Sequence, residues 1–265
     1  MKRRPLFMLQ LAFTLGICAF LIIPVIQSML AGVTENFFVG ISSGLTLRWT
    51  VEVWELYDDT IYLSLRIALA CLIVDLLIGV PLAYVLARSN GRWSRIVEET
   101  IVLPVAIPGL AIALALIISY GGAGDFRTNW TFILVGHVLY TLPFMVRSVL
   151  AVLSSMNFRE LEEGAASLGA GFTTRFWTVV LPNARPGILA GSLMAVTLSI
   201  GEFNLTWMLH TPITKTLPVG LADSYASMRL EVASAYTLVF FVMIIPLLIA
   251  MQAWADMTST TGTKR

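Results

Sequence analysis

Arg66, Asp75 and Glu202 stand inside long apolar runs of this 265-residue chain. A charge in such surroundings is costly, so each is by default a group that meets a polar solute or another charge. Glu202 belongs to Ser199-Ile200-Gly201-Glu202-Phe203-Asn204, where Asn204 and a glycine beside the acid suit the wall of a cavity. A second concentration of polar chemistry lies between two apolar runs: Glu160, Glu162 and Glu163, then Gly164-Ala165-Ala166, then Gly169. Its side chains suit docking rather than catalysis. Gly40-Ile41-Ser42-Ser43-Gly44 has the spacing of a nucleophile elbow, but that turn needs a strand before it and a helix behind it. Neither is expected here, and His137 and His210 fall elsewhere with no acid nearby in sequence. Cys18 and Cys71 both lie in apolar runs and read as packing residues. No catalytic residue and no metal ligand is assigned.

The elements that must position these groups follow from composition. The chain is 57% hydrophobic and 12% charged, and a soluble domain of this size could not bury so much apolar surface. A net charge of +1 with no basic stripe argues against a nucleic-acid partner. Apolar stretches at about 6–30, 60–87, 97–120, 131–153, 187–209 and 233–255 each reach the roughly 20 residues that cross a bilayer as a helix. The expected fold is therefore an all-α integral membrane protein of six transmembrane helices, the first of them an uncleaved span. Lys2, Arg3, Arg4, Arg88, Arg92, Arg95, Arg159, Arg175, Arg185, Lys264 and Arg265 fall on one side. Only Arg48, Arg127, Lys215 and Arg229 fall on the other, so the positive-inside rule places both termini in the cytoplasm. One domain is expected over 1–265, with a cytoplasmic segment at about 154–186 and an external one at about 31–59.

That cytoplasmic segment reads as a short docking helix. Asn157 is placed to cap it, the glutamates favour its N-terminus, and Gly169 with Gly171 ends it. A second helix from about Thr173 to Val180 is expected to stop at Pro182, with Pro186 starting the fifth span. At 1.5 Å per residue, Arg66 lies about 9 Å below the outer end of its span, and Glu202 at about the same depth. The two could pair or flank a solute, while Asp75 sits deeper; a structural ion pair is the alternative for Arg66 and Asp75. Gly187-x-x-x-Gly191 suits close approach of the fifth span to a neighbour.

Residues 154–191 resemble the permease signature of bacterial binding-protein-dependent ABC importers. Glu163 matches the signature's Glu, Gly164-Ala165 its two alanines, Gly169 its glycine, and Val179-x-Leu181-Pro182 its Ile-x-Leu-Pro. Pro81-Leu82-Ala83-Tyr84, Leu103-Pro104 with Pro108-Gly109, and Leu142-Pro143-Phe144 are similar to the same family. The resemblance implies a type I importer permease, multi-pass in the bacterial inner membrane. It also implies that Glu162, Glu163, Gly164, Ala165, Gly169, Leu181 and Pro182 couple the chain to an ATP-binding cassette ATPase.

The chain's lysines, Lys2, Lys215 and Lys264, do not follow a glycine, so it has no phosphate-cradling loop. ATP and Mg are accordingly expected on the partner ATPase, with no cofactor in this chain. Further expected partners are a second permease, identical or homologous, a periplasmic solute-binding protein and the lipid bilayer. Asp75 and Glu202 suit a polyamine, and Arg66 beside Glu202 suits a 2-aminoethylphosphonate-like amine. An oxyanion or ferric iron is the alternative solute, and an ion-coupled secondary transporter the alternative class.

Overall fold

The computed structural model describes residues 3–89 and 91–260. Lys2, Lys264 and Arg265, used above to orient the chain, lie outside the described residues. The described chain is helical: α1 Arg3–Ala31, α2 Arg48–Leu56, α3 Asp58–Arg88, α4 Arg92–Ala106, α5 Gly109–Tyr120 and α6 Trp130–Ser154. These are followed by α7 Phe158–Ser167, α8 Phe172–Arg175, a π-helical turn Phe176–Val180, α9 Leu181–Gly201, α10 Asn204–Leu209, α11 Leu217–Ala226 and α12 Leu230–Thr260. Among the described residues there is no β-strand, only an isolated bridge between Thr34 and Leu45.

Among the described residues five helices are long and apolar enough to span a bilayer: Leu6–Ala31, Asp58–Arg88, Trp130–Ser154, Phe172–Gly201 and Leu230–Ala253. The expected third span is broken at its Pro108-Gly109 pair, with α4 and α5 meeting at 104°. Pro108 is the cause. Its ring disfavours the helical region for the residue before it, and Ile107 is extended at φ −92°, ψ 134°. The count of six holds if that bent pair is one span.

The fifth span also departs from expectation. The helix does not stop at Pro182 but runs from Phe172 through to Gly201. The wider π turn before Leu181 accommodates a proline that lacks an N–H and would crowd the carbonyl four residues back. Asn183 Nδ2 donates to Val179 O at 2.7 Å, satisfying one carbonyl of that turn. The helix ends at Gly201, short of residue 209. Glu202 is extended, and α10 restarts at Asn204.

The chain divides into two compact units. One comprises Met1–Asp58 and Gly220–Met243. In it the turn just after α1 meets the first half of α12 so closely that a Cβ on Gly32 would lie 2.6 Å from the Ala235 nitrogen. Arg229 donates to Tyr57 Oη at 2.8 Å and pairs with Glu52, and Phe37 N donates to Glu231 at 2.9 Å. Trp49 donates its indole N–H to Thr34 O at 2.9 Å.

The other unit comprises Asp59–Val219 and Ile244–Arg265. Its core is layered. Ile67, Ile112, Phe132, Ile133, Leu205 and Leu209 form one apolar cluster. Val80, Tyr84, Met145, Val149, Leu153, Phe158 and Val180 form a second. Along α3 and α6, a buried polar layer of Cys71, Asp75, His137 and Thr141 falls between them in sequence.

Candidate functional site

The segment after α6 is built around one buried acid. Glu162 is 2% exposed. Its carboxylate accepts the Tyr84 hydroxyl at 2.7 Å and faces Arg175 at 3.3 Å and Arg88 at 3.4 Å. Arg88 also donates to Tyr84 Oη at 3.2 Å. Helical spacing explains the choice: Phe158 and Glu162, at i and i+4, are the buried residues of α7. Arg159 donates to Ala87 O at 2.8 Å, so α7 is fastened to the end of α3 by polar as well as apolar contact.

The opposite face of α7 is free of the chain. Leu161 and Leu168 are 50% and 91% exposed, with Gly164 and Ala165 between them at helical spacing. Glu163 is exposed, and its side chain makes no hydrogen bond or ion pair among the described residues. Gly169 ends the helix in the left-handed region, at φ 86°. Its N–H reaches Ala166 O at 2.9 Å and the Ala170 N–H reaches Ala165 O at 3.0 Å, the paired bonds of a Schellman ending. The expected side-chain cap from Asn157 is not made; its carbonyl instead accepts from Glu160 and Leu161. Leu181 and Pro182 open α9, both half-buried, within a helix continuous with α8.

Inside the spans, the groups are engaged differently from the sequence expectation. Arg66 and Glu202 do not pair. The Arg66 guanidinium lies over the Trp130 ring, 4.1 Å from its centroid. Glu202 caps α10: its two carboxylate oxygens take the Leu205 and Thr206 backbone N–H groups, each at 2.9 Å, and the Thr206 hydroxyl at 2.9 Å. Asp75 is fully buried, accepting from Thr141 at 2.7 Å with Cys71 at 3.9 Å, while its other oxygen has no partner.

Sequence reasoning passed over the groups that join these. His137 meets Ser199 at 2.9 Å through Nδ1 and Thr206 at 2.8 Å through Nε2. Because Thr206 donates to Glu202, its oxygen accepts from His137 Nε2–H, and His137 Nδ1 accepts from Ser199. The imidazole thus ties α6 to both sides of the break between α9 and α10.

The two interrupted helices meet at their breaks. A Cβ on Gly109, the first residue of α5, would lie 3.5 Å from Asn204 Cβ and from Leu205 N. Non-helical backbone at membrane depth is tolerated where it is buried in protein or lines a water-filled cavity. Asn204 is exposed there, and its side chain makes no hydrogen bond among the described residues. Arg147, another charge within a span and exposed on α6, also went unread; a lone arginine in an otherwise apolar run was the available signal.

The Glu202 geometry gives a testable outcome. Glu202→Ala should destabilise the protein by about 1–2 kcal/mol through loss of the cap, read as a lowered thermal midpoint. Glu202→Gln, which keeps one acceptor, should recover part of it. If Glu202→Gln restores the midpoint yet uptake stays lost, the acid acts on solute and not only on α10.

Residues 79–259 match the family described as the inner membrane component of binding-protein-dependent transport systems. The molybdenum transport system permease protein ModB of Mycobacterium tuberculosis is 30% identical over 185 residues, 64% of this chain and 70% of that one. The protein of the same name from Azotobacter vinelandii is 29% identical over 193 residues, 67% of this chain and 84% of that one. The sulfate transport system permease protein CysW of Synechocystis is 28% identical over 191 residues, 67% and 69% of the two chains. In fold, the chain is similar to one from a bacterial ABC transporter that imports the acidic polysaccharide alginate. That likeness has a TM-score of 0.73 at 17% identity and covers 95% of this chain and 94% of that one. A chain of the methionine transporter MetNI, in inward-facing form, gives 0.61 at 16% identity over 77% and 95%.

Proposed function

The chain belongs to the family of inner membrane components of binding-protein-dependent transport systems, and from that premise we propose that it lines the path of an importer for a small oxyanion. It is an ABC importer permease subunit, and the ion-coupled secondary transporter falls away with that membership. The observation that carries the coupling reading is α7: one face locked to the chain by buried Glu162, while Leu161 and Gly164, with Leu168 just past its end, are exposed and Ala165 is half-buried beside them. An exposed apolar face on a fixed helix is a ready interface for a partner. In this reading the partner is the ATPase, which carries ATP and Mg. Both termini lie in the cytoplasm, the membrane is the bacterial inner membrane, and the whole chain acts as one permease domain beside a second permease, identical or homologous. A periplasmic binding protein delivers the solute.

The choice of solute rests on two supports. The molybdenum and sulfate permeases named above are relatives of this chain. The acids that argue for a polyamine or an aminophosphonate are engaged within the chain: Glu202 by three donors of α10, and Asp75, fully buried, through one oxygen by Thr141. Uptake of labelled molybdate and sulfate, each competed by a polyamine, tests the assignment. Displacement by the polyamine alone would overturn it.

Docking is tested separately by Leu168→Arg. Leu168 is so exposed that the substitution should change the chain's own stability by no more than about 0.5 kcal/mol. Loss of an interface anchor of about 2 kcal/mol should weaken ATPase association about thirtyfold, read by co-purification. Unchanged association would sink the docking face.

A further inference from the structure

Arg147 lies seven residues before the end of α6, about 10 Å along the helix axis. The 25 residues of α6 are about 37 Å long against a hydrocarbon thickness of about 30 Å, so only a few ångströms overhang at each end. Arg147 therefore starts below the level of the lipid headgroups. It is exposed, and it makes no hydrogen bond or ion pair among the described residues. A cation so placed needs water or an anion to offset its cost.

Arg147 lines an open cleft of about 700 Å³ with Ser89 at the end of α3, Arg95 and Glu98 in the first half of α4, and Leu150 and Ser154 of α6. Arg95 is likewise exposed and without a partner among the described residues. Glu98 is the single acid of the lining and pairs with neither arginine within 4 Å, so the cleft keeps an excess positive charge. Two guanidinium forks and the hydroxyls of Ser89 and Ser154, with Ser94 beside them donating to Leu86 O at 3.2 Å, match with the aliphatic wall a phosphate oxyanion, whose geometry arginine takes bidentately.

We propose that this cleft is a binding site for a phosphate-type oxyanion group held by Arg95 and Arg147, distinct from the helix breaks and independent of which solute is carried. Two sources share that chemistry: the headgroup of an anionic phospholipid, and a free inorganic oxyanion.

The test uses the intact transporter with its ATPase. Phosphatidylglycerol is titrated onto it in a phosphatidylcholine background and retained lipid is read by native mass spectrometry. A parallel arm measures binding of labelled inorganic phosphate in phosphatidylcholine alone. Near a membrane surface each arginine contributes about 1 kcal/mol, so Arg95→Gln and Arg147→Gln should each weaken binding about fivefold. Arg147→Lys keeps the charge but not the bidentate fork, so it should bind more tightly than Arg147→Gln and less tightly than the parent, which separates lost charge from misfolding, and Glu98→Gln should tighten binding. Arg92→Gln, an exposed arginine of α4 outside the cleft, should leave it unchanged. Arginine-dependent binding of phosphatidylglycerol identifies a lipid site, and arginine-dependent binding of phosphate a free-ion site. If the Arg95→Gln, Arg147→Gln pair retains both ligands as the parent does, or Arg92→Gln loses as much, the site does not exist.

Discussion

Replacing Glu162 by alanine should abolish uptake while the membrane-spanning helices stay folded. The carboxylate is buried, and three groups from two other elements converge on it: Tyr84 and Arg88 from α3, Arg175 from α8. Removing one member of a buried ion pair costs about 3–5 kcal/mol, because the partners are left desolvated and unmatched. Arg175 is the partner most affected, its side chain being 18% exposed against 51% for Arg88. A helix of ten residues has little stability of its own, so α7 depends on this anchor and on Phe158. At 3 kcal/mol the seated position of α7 is depleted more than about a hundredfold, and transport should fall with it. Glu162→Gln keeps an acceptor for Tyr84 but no charge for the arginines, and should fall between. The checks are uptake, membrane insertion and limited proteolysis of residues 157–170. Wild-type uptake by Glu162→Ala would remove the anchor from the coupling account.

Glu162 and Glu163 show what a sequence can and cannot display. Motif position singles out the pair, and the helix period says that two neighbours must point in different directions. Which one points inward depends on Tyr84, Arg88 and Arg175, whose meeting is a matter of tertiary structure. The spans were legible because hydropathy over twenty residues overwhelms any single side chain. That same averaging hid Arg147. It also hid the end of α9, since Leu205, Trp207, Met208 and Leu209 continue the apolar run past the break. Proline chemistry marked the break between α4 and α5, though not its 104° angle. An amine solute follows from the sequence only if Asp75 and Glu202 are free carboxylates. A carboxylate near a helix start is as readily a cap as a ligand, and only the three donors around Glu202 decide between them.

Gly187→Val should prevent accumulation of folded protein altogether. A Cβ at Gly187 would lie 2.5 Å from Ser148 O and 2.8 Å from Val149 Cα, both backbone atoms of α6 that cannot rotate aside. One turn on, a Cβ at Gly191 would lie 2.7 Å from Met145 Sδ and 3.0 Å from Met145 Cα. The Gly187-x-x-x-Gly191 pair thus sets the closest seam of the core, α9 laid directly on α6. Overpacking a core costs about 1–3 kcal/mol when side chains can shift, and a clash with backbone belongs at or beyond the top of that range. Gly201→Ala and Gly164→Ala are the matched controls, because a Cβ at either position meets no atom within 4 Å. Gly191→Ala is the informative intermediate, since the sulfur it meets belongs to a flexible side chain that can yield. The seam also explains why α7 needs no long lever. α8 is continuous with α9 through the π turn, so a displacement of α8, which Arg175 ties to Glu162 of α7, reaches Gly187 along one helix. There the backbones of α9 and α6 are too close to slide independently. Gly191→Ala should therefore fold and slow uptake without weakening ATPase binding, whereas Gly187→Val should be degraded. Equal accumulation and equal thermal midpoints for Gly187→Val and the parent would show that the two helices do not depend on this contact.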